Sequence, residues 1–201
     1  MAEHYYTQEP TSKHEEHAFT LECAGRALRF ETDAGVFSKL RLDPGTALLL
    51  KALPESFSGR ALDLGCGWGP VGVALGKKYP NAEILMTDVN ERAVALAAEN
   101  CAANGVHNAR TRVSDGFADI NGAFSAIVLN PPIRAGKAVI YGLFDAARAH
   151  LTEDGALYIV IRKQQGAESA QRYLQGIYRD VARIARDKGY WVLRCAGGVL
   201  E

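Results

Sequence analysis

From residue 60 onward the sequence alternates short β-rich runs with longer helical stretches, and this alternation constrains the fold more than any other feature. Predicted strands cover residues 60–64, 83–87, 110–114, 126–129 and 157–161, and predicted helices cover residues 70–78, 91–104, 137–151 and 168–178. Repeated strand–helix–strand units imply a parallel sheet with helices on both of its faces. Residues 181–185 and 191–195 follow as an antiparallel pair that closes the sheet. The chain is therefore predicted to have a doubly wound α/β fold.

Two segments predict how this sheet is covered. Residues 157–161 are apolar throughout, which is typical of a strand with helices on both faces. The preceding helix places Val139, Ile140, Leu143 and Ala147 on one side.

The first 57 residues follow a different pattern. Residues 17–31 alternate around a turn at residues 23–26 and predict a β-hairpin. An apolar helix is predicted at residues 47–53. These features predict an N-terminal appendage, residues 1–57, packed on a core domain formed by residues 58–201. A lid over a site is the alternative arrangement of this appendage.

Composition excludes several classes of protein. The 201 residues are 48% apolar and carry 23 basic against 23 acidic side chains, which is typical of a soluble globular protein without an overall basic excess. The longest apolar runs have six residues, whereas a membrane-spanning helix needs about 20. The four cysteines have no paired spacing that indicates zinc or a disulfide framework. With no secretory signal at the N-terminus, the sequence predicts a cytoplasmic protein with no bound metal.

A glycine cluster follows the first strand of the predicted sheet. In an open parallel sheet, ligands bind beyond the carboxyl ends of the strands. Gly65 and Gly67 let the backbone turn and approach a ligand at the positive end of the next helix. Cys66, between them, is close enough to that helix for a lowered thiol pKa, although packing as a small side chain is the favoured role.

The same cluster also matches a dinucleotide-binding pattern, because Gly67, Gly69 and Gly72 have the spacing G-x-G-x-x-G. Two details argue against a dinucleotide. Asp63 stands before the first glycine, where a pyrophosphate gains nothing from a carboxylate. Counted from Gly65, the third glycine position is occupied by a proline. A carboxylate there suits a cationic group, such as the amino group or sulfonium of S-adenosylmethionine; a purely structural glycine turn is the alternative.

Acidic residues also follow the second and third strands. Asp88, with Val89 beside it, can accept hydrogen bonds from a ribose diol, because Asn90 is better placed to cap the next helix. Asp115, followed by Gly116, is positioned to accept a hydrogen bond from an adenine amino group. An ordinary Asp-Gly turn is the alternative at this position.

The segment Asn130-Pro131-Pro132-Ile133 follows the fourth strand and is the most informative tetrapeptide. Two prolines stiffen the chain and remove amide donors. The Asn130 side-chain oxygen and the Pro131 carbonyl can then form a rigid pair of acceptors for a planar NH₂ group. A proline loop with a helix-capping asparagine is the alternative.

These residues together resemble a known family. Residues 63–69, Asp88 and Asp115 are similar to the cofactor motifs of class I S-adenosylmethionine-dependent methyltransferases, and Asn130-Pro131-Pro132 is similar to the motif of the amino-group methyltransferases. More closely, the chain resembles the small-domain methyltransferase family that includes ribosomal RNA guanine amino-methyltransferases of the small subunit. This resemblance extends from Phe37-Ser38-Lys39 and Asp43-Pro44-Gly45-Thr46 through residues 161–166 to the last strand.

The resemblance implies a Rossmann-like, seven-stranded sheet, mostly parallel, with one antiparallel strand near the C-terminus. It assigns Gly65 and Gly67 to the methionine part of S-adenosylmethionine, Asp88 to the ribose and Asp115 to the adenine. It also implies that Thr46 helps to close the cofactor pocket. Asn130 and Pro131 would orient the target amine.

The implied activity is methyl transfer to an exocyclic amine, with guanine in ribosomal RNA as the favoured target. One residue departs from the family pattern, because Ile133 stands where an aromatic side chain usually stacks on the target ring. Arg134, Lys137 and Lys163 are expected to contact RNA. A protein glutamine amide and adenine are alternative targets, since both present a planar NH₂ group. An NAD-dependent oxidoreductase and a non-catalytic RNA-binding relative are further alternatives.

Overall fold

The computed structural model describes residues 17–23, 26–33 and 42–198. The resemblance segment Phe37-Ser38-Lys39 and the tip of the predicted hairpin, residues 24–25, lie outside the described residues. The strands are β1 His17–Cys23, β2 Arg26–Thr32, β3 Gly59–Leu64, β4 Ala82–Asp88, β5 Ala109–Val113, β6 Phe124–Leu129, β7 Leu151–Arg162, β8 Tyr178–Asp187 and β9 Tyr190–Gly198. The α-helices are α1 Pro44–Ala52, α2 Pro70–Lys78, α3 Glu91–Ala103, α4 Lys137–Ala149 and α5 Ala167–Leu174.

Seven of the strands form one sheet in the order β5-β4-β3-β6-β7-β9-β8. Strands β3 to β7 pair in parallel, and β9 runs antiparallel to both of its neighbours. The predicted doubly wound α/β fold with one antiparallel strand near the C-terminus is therefore confirmed. The predicted hairpin is also confirmed, since β1 and β2 pair as a separate antiparallel sheet.

The order of the strands locates the site. From β3 the chain proceeds outward through β4 to β5, and it then crosses back to β6 on the other side of β3. Connections at β3 and β6 therefore diverge, which leaves a crevice at the carboxyl ends of these two strands. The glycine cluster follows β3 and Asn130 follows β6, so the topology brings the two most informative motifs to this crevice.

The N-terminal hairpin packs against Trp68, which lies in the glycine-rich segment that follows β3. Phe19 and Phe30 both contact the Trp68 ring edge-on, with ring centroids 5.2 and 5.0 Å away. Asn100 on α3 holds the backbone of Glu31 through two hydrogen bonds of 2.8 Å. The division into residues 1–57 and 58–201 stays a prediction.

Two helices differ from their predicted form. Helix α1 begins at Pro44 rather than at residue 47, because the Asp43 side chain caps it by accepting the backbone N–H of Thr46. Helix α4 buries Ile140, Phe144 and Ala147, so only part of the predicted apolar face is buried. Val139 is 49% exposed at the mouth of the crevice. Within the described ranges, none of the helices is long and apolar enough to span a bilayer.

Candidate functional site

A cavity of about 460 Å³ occupies the crevice at the carboxyl ends of the strands. This volume lies in the range of about 300–1,000 Å³ that is usual for small-molecule sites. It brings together most of the predicted site residues. Those in its lining are Thr46, Asp63, Gly65, Cys66, Gly67, Asp88, Val89, Asp115, Gly116, Asn130, Pro131, Pro132 and Arg134.

Three predicted residues are not part of this lining. Ile133 begins a short 3-10 turn and packs, partly buried, against the core cluster that includes Ile140 and Phe144. Lys137 contacts the Ser169 hydroxyl with its Nζ at 3.3 Å. Lys163 pairs with Glu168 at 3.5 Å, and both of these side chains are exposed. The two lysines therefore lie on the surface outside the cavity, where a large substrate could still contact them.

The glycines of the cluster divide into two groups. Gly65 and Gly67 have φ angles of 69° and 55°, and a Cβ atom added to either would meet no other atom within 4 Å. Protein packing therefore does not explain the missing side chains, and both residues border the cavity. Gly69 has a different function, because its Cβ would lie 3.0 Å from the Ala97 Cβ. Gly69 and Gly72 allow α2 to approach its neighbours, and neither lines the cavity.

Asp63 is a buried carboxyl group at the base of the cavity. Its Oδ2 accepts the backbone N–H of Gly72 at 2.8 Å, and its residue is only 3% exposed. Burial is the largest cause that raises the pKa of Asp63 to about 7. The Gly72 hydrogen bond lowers this pKa, and the charge of Asp88 raises it. A cationic ligand near this carboxyl would favour its charged form.

Asp88 fastens the glycine cluster to β4. Its Oδ2 accepts the Gly67 N–H at 2.8 Å, and its Oδ1 accepts the Asn90 N–H at 2.9 Å. Burial raises the pKa of Asp88, while these backbone donors lower it. The Asn90 side chain accepts the N–H of Ala93, so its predicted capping of α3 is confirmed. Each Asp88 oxygen keeps lone-pair capacity for a further donor.

Cys66 is buried, and burial together with the charges of Asp63 and Asp88 raises its pKa well above the ordinary thiol value. The lowered thiol pKa considered from the sequence is therefore wrong, and the packing role is the one that the structure favours. A thiol in this state is a poor nucleophile.

The far end of the cavity is formed by residues that follow β5. Asp115 is exposed there, and the neighbouring Ser114 is buried with its hydroxyl donating to the Gly116 carbonyl at 3.1 Å. Leu143 from α4 covers this end, 3.0 Å from the position that a Gly116 Cβ would take. Ser114 and Leu143 are lining residues that the sequence analysis did not identify.

The Asn130 side chain is held at the opposite end of the cavity. Its Nδ2 donates to Thr46 Oγ1 at 3.0 Å and to Asp43 Oδ2 at 3.4 Å. Thr46 thus contacts the asparagine as well as bordering the cavity. Asp43 was not identified from the sequence as a site residue. The Asp43-Pro44 pair is nevertheless a helix-start signal, since aspartate is a preferred N-cap and proline a preferred first helical residue.

Comparison with known proteins places the chain among methyltransferases. The methyltransferase small domain family matches residues 27–194. The chain is 40% identical over 197 residues to the uncharacterized protein YbxB of Bacillus subtilis, which covers 96% of this chain and 98% of that protein. It is 45% identical over 141 residues to ribosomal RNA small subunit methyltransferase C of Hahella chejuensis, which covers 68% of this chain and 41% of that protein.

A solved structure is similar over nearly the whole chain. The 16S rRNA N2 G1207 methyltransferase of T. Thermophilus, in complex with AdoMet and guanosine, superimposes with a TM-score of 0.82 at 26% sequence identity. The match covers 94% of this chain and 52% of that chain. This chain therefore spans nearly all of the Bacillus protein and about half of the small subunit methyltransferase C proteins.

Proposed function

Because the chain belongs to the methyltransferase small domain family and is an S-adenosylmethionine-dependent enzyme, we propose that it methylates the exocyclic amine of guanine in small-subunit ribosomal RNA. One observation carries the proposal. Asn130 and Pro131 border the same cavity as Gly65 and Gly67, which we call the glycine cradle. An acceptor pair for an amine therefore lies in the same cavity as this cradle. That arrangement suits a methyl donor and an amine acceptor held side by side.

The residues around the cradle fit S-adenosylmethionine. Gly65 and Gly67 leave space that a side chain would fill, and Asp63 offers a carboxylate to a cationic group. Asp88, with Val89, is assigned to the ribose and Asp115, with Gly116, to the adenine. When bound, this cofactor supplies a methyl group that its positive sulfur has already activated.

The chain itself contributes alignment. We assign Asn130 Oδ1 and the Pro131 carbonyl to the two N–H bonds of the target amine. Two prolines restrict the backbone that carries the Pro131 carbonyl, and hydrogen bonds to Thr46 and Asp43 hold the Asn130 amide. When these two acceptors receive hydrogen bonds from both N–H groups of the amine, they favour sp³ character at its nitrogen and hold the lone pair toward the cradle. Alignment of this kind can supply much of the catalysis when the donor is already activated.

Guanine in RNA is favoured by the relatives and by the charge at the cavity mouth. The relatives called small subunit methyltransferase C are named as ribosomal RNA methyltransferases, and the similar solved structure contains guanosine. Arg134 is exposed in the cavity lining, and Lys137 and Lys163 lie on the surface nearby. Cations in these positions would meet the phosphates that flank a target nucleotide.

Labelling tests this proposal directly. The protein is incubated with S-adenosylmethionine carrying a tritiated methyl group and, in separate reactions, with small subunits, large subunits, free ribosomal RNA and ribosomal protein. Digestion of the labelled product should yield methylguanosine from small-subunit RNA. Label in glutamine or adenosine would overturn the assigned target, and absence of label from every substrate would overturn the activity.

An alanine variant tests the role of Asn130. Asn130→Ala should abolish turnover while leaving the affinity for S-adenosylmethionine within about threefold, because the residue is assigned to the amine rather than to the cradle. Asn121→Ala is the matched control, since Asn121 is exposed in the loop before β6. Loss of cofactor binding with normal turnover at saturating cofactor would contradict the assignment.

A further inference from the structure

The Asn130 amide has two chemically different ends, and only one of them is engaged. Nδ2 donates to Thr46 Oγ1 at 3.0 Å and to Asp43 Oδ2 at 3.4 Å. Oδ1 accepts no hydrogen bond from the residues that the structure describes. The engaged end is the donor end, which leaves the acceptor end for a ligand in the cavity that Asn130 lines.

The chemistry of Asp43 sets this orientation. An ionised carboxylate can only accept hydrogen bonds, so an asparagine beside it must present its NH₂ group. Asp43 Oδ2 already accepts the backbone N–H of Thr46 at 2.9 Å as the N-cap of α1. Because this capping bond fixes the carboxylate, it also fixes the side to which the Asn130 NH₂ group must turn. A flipped amide would place two acceptors against each other.

The last strand of the sheet supports the carboxylate from its other oxygen. Tyr190 Oη donates to Asp43 Oδ1 at 3.5 Å. The Tyr190 ring lies so close to α1 that a Cβ on Gly45 would be 2.7 Å from its Cδ1 atom. The Arg162 guanidinium lies 5.5 Å from the centre of the same ring. Burial and the Asp43 charge raise the pKa of Tyr190, so its hydroxyl retains the proton that it donates.

We propose that Asp43, Thr46 and Tyr190 are positioning residues that hold the Asn130 amide with its oxygen toward the substrate amine. The inference rests on the proposed function and assigns it three residues outside the glycine cradle and the Asn-Pro-Pro segment. It also gives Thr46 a task different from closing the cofactor pocket. With the amide reversed, its NH₂ group would face the substrate NH₂ group and could not accept from it.

Two substitutions test the network without removing the helix cap or leaving a void. Asp43→Ser keeps a preferred N-cap and removes the carboxylate that reaches Asn130. Thr46→Val keeps the shape of the side chain and removes its hydroxyl. Each should lower kcat about tenfold, the factor expected for losing a hydrogen bond that orients a reacting group. KM for RNA and the affinity for S-adenosylmethionine should stay within about twofold.

Conservative and matched variants separate positioning from a structural effect. Thr46→Ser restores the hydroxyl and should recover kcat to within about threefold of the wild-type value. Tyr190→Phe should lower kcat by a smaller factor than Thr46→Val. Its control is Tyr173→Phe, which removes a similar Tyr–Asp hydrogen bond, to Asp145 at 2.8 Å, on the exposed side of α5. The control should leave kcat unchanged.

A spectroscopic measurement tests the orientation without any substrate. The side-chain NH₂ resonances of Asn130, assigned by their loss in Asn130→Ala, should exchange slowly with solvent and should exchange faster in Asp43→Ser and Thr46→Val. An unchanged kcat and exchange rate in both variants would overturn the proposal. Equal losses of kcat, cofactor affinity and melting temperature, with no recovery in Thr46→Ser, would also overturn it. If wild-type protein methylates no RNA but these resonances respond, the proposed function fails while the positioning network stands.

Discussion

Replacing Asp63 with asparagine is expected to stabilise the protein above pH 7 and to lower its affinity for S-adenosylmethionine. Asp63 is 3% exposed and has Asp88 as a charged neighbour, and burial raises its pKa from 3.8 to about 7. Ionising this group in the folded protein is therefore costly, whereas asparagine of the same size carries no charge. The asparagine oxygen can still accept the Gly72 N–H that Asp63 accepts now.

The magnitude follows from the difference between the folded and unfolded pKa values. Between about pH 4 and pH 7 the folded protein keeps a proton on Asp63 that the unfolded chain has lost, so the free energy of unfolding falls as pH rises through this window. At about 1.4 kcal/mol per pKa unit, the full effect above pH 7 is about 4 kcal/mol. For a chain of this length that corresponds to a melting temperature about 10 °C higher in Asp63→Asn at pH 8.

Thermal unfolding of both proteins at pH 5, 6, 7 and 8 measures this effect. The difference in melting temperature should grow from pH 5 to pH 7 and then level off. Asp154→Asn, at an exposed carboxylate, is the control and should change stability by no more than about 0.5 kcal/mol at any pH. An Asp63→Asn protein that is less stable than wild type at pH 8, or a difference independent of pH, would refute the reasoning. Calorimetry with S-adenosylmethionine at pH 8 should show the accompanying loss of affinity.

Three further predictions follow from other parts of the site. Thr87→Val should raise the free energy of unfolding by about 1 kcal/mol, because the buried Thr87 Oγ1 has no hydrogen-bond partner in the described part of the chain; chemical denaturation measures it. Gly67→Ala should reduce cofactor affinity at least tenfold, because its methyl group would enter the cradle, at a cost of only about 1 kcal/mol in stability for the positive φ. Changing Arg134, Lys137 and Lys163 together to glutamine should weaken RNA binding and make the slope of log affinity against log salt shallower by about 2.

Matched variants make these outcomes specific. Gly166→Ala introduces a side chain at a φ of 100° with no atom within 4 Å, outside the cavity lining, and should leave cofactor affinity unchanged. Changing Lys51, Arg110 and Arg148 to glutamine removes the same number of exposed charges away from the cavity. If that triple variant alters the salt slope as much as the first one, the binding is not localised at the cavity mouth. A destabilised Thr87→Val protein would mean that its hydroxyl has a partner.

The architecture was predictable because its signals are local. Asn90 before α3, Pro70 at the start of α2 and the apolar run in β7 each depend on neighbours a few residues away. The parallel order then placed the glycine cluster and Asn130 at one edge of the sheet. The predicted ends of helices and strands were less accurate than their order. Strand β7, for example, begins at Leu151, six residues before its predicted start.

The contacts that orient Asn130 could not be predicted in the same way. Asp43 is 87 residues from Asn130 and 147 from Tyr190 in sequence, and hydrogen bonds over such separations leave no periodic pattern. The exposure of Val139 could not be predicted either. Its spacing suits an apolar helix face, and Ile140 in the same turn is buried, but Val139 itself lines the cavity mouth, which helical spacing does not reveal.

Asp63, which is buried, and Asp88, which is half-buried, bear on the choice of ligand. Asp63 and Asp88 lie at or next to the carboxyl ends of adjacent strands, and the charge of Asp88 raises the pKa of Asp63. A dinucleotide would add a pyrophosphate to this negative region and increase the repulsion, whereas a ligand with a cationic amino group and sulfonium reduces it. Binding such a cation should lower the pKa of Asp63 and release a proton near pH 7, because the carboxyl is partly protonated there in the free protein. Calorimetry of S-adenosylmethionine binding at pH 7 in buffers of different ionisation enthalpy should detect that release in wild type and lose it in Asp63→Asn. Equal proton release in the two proteins would assign the cation to another group.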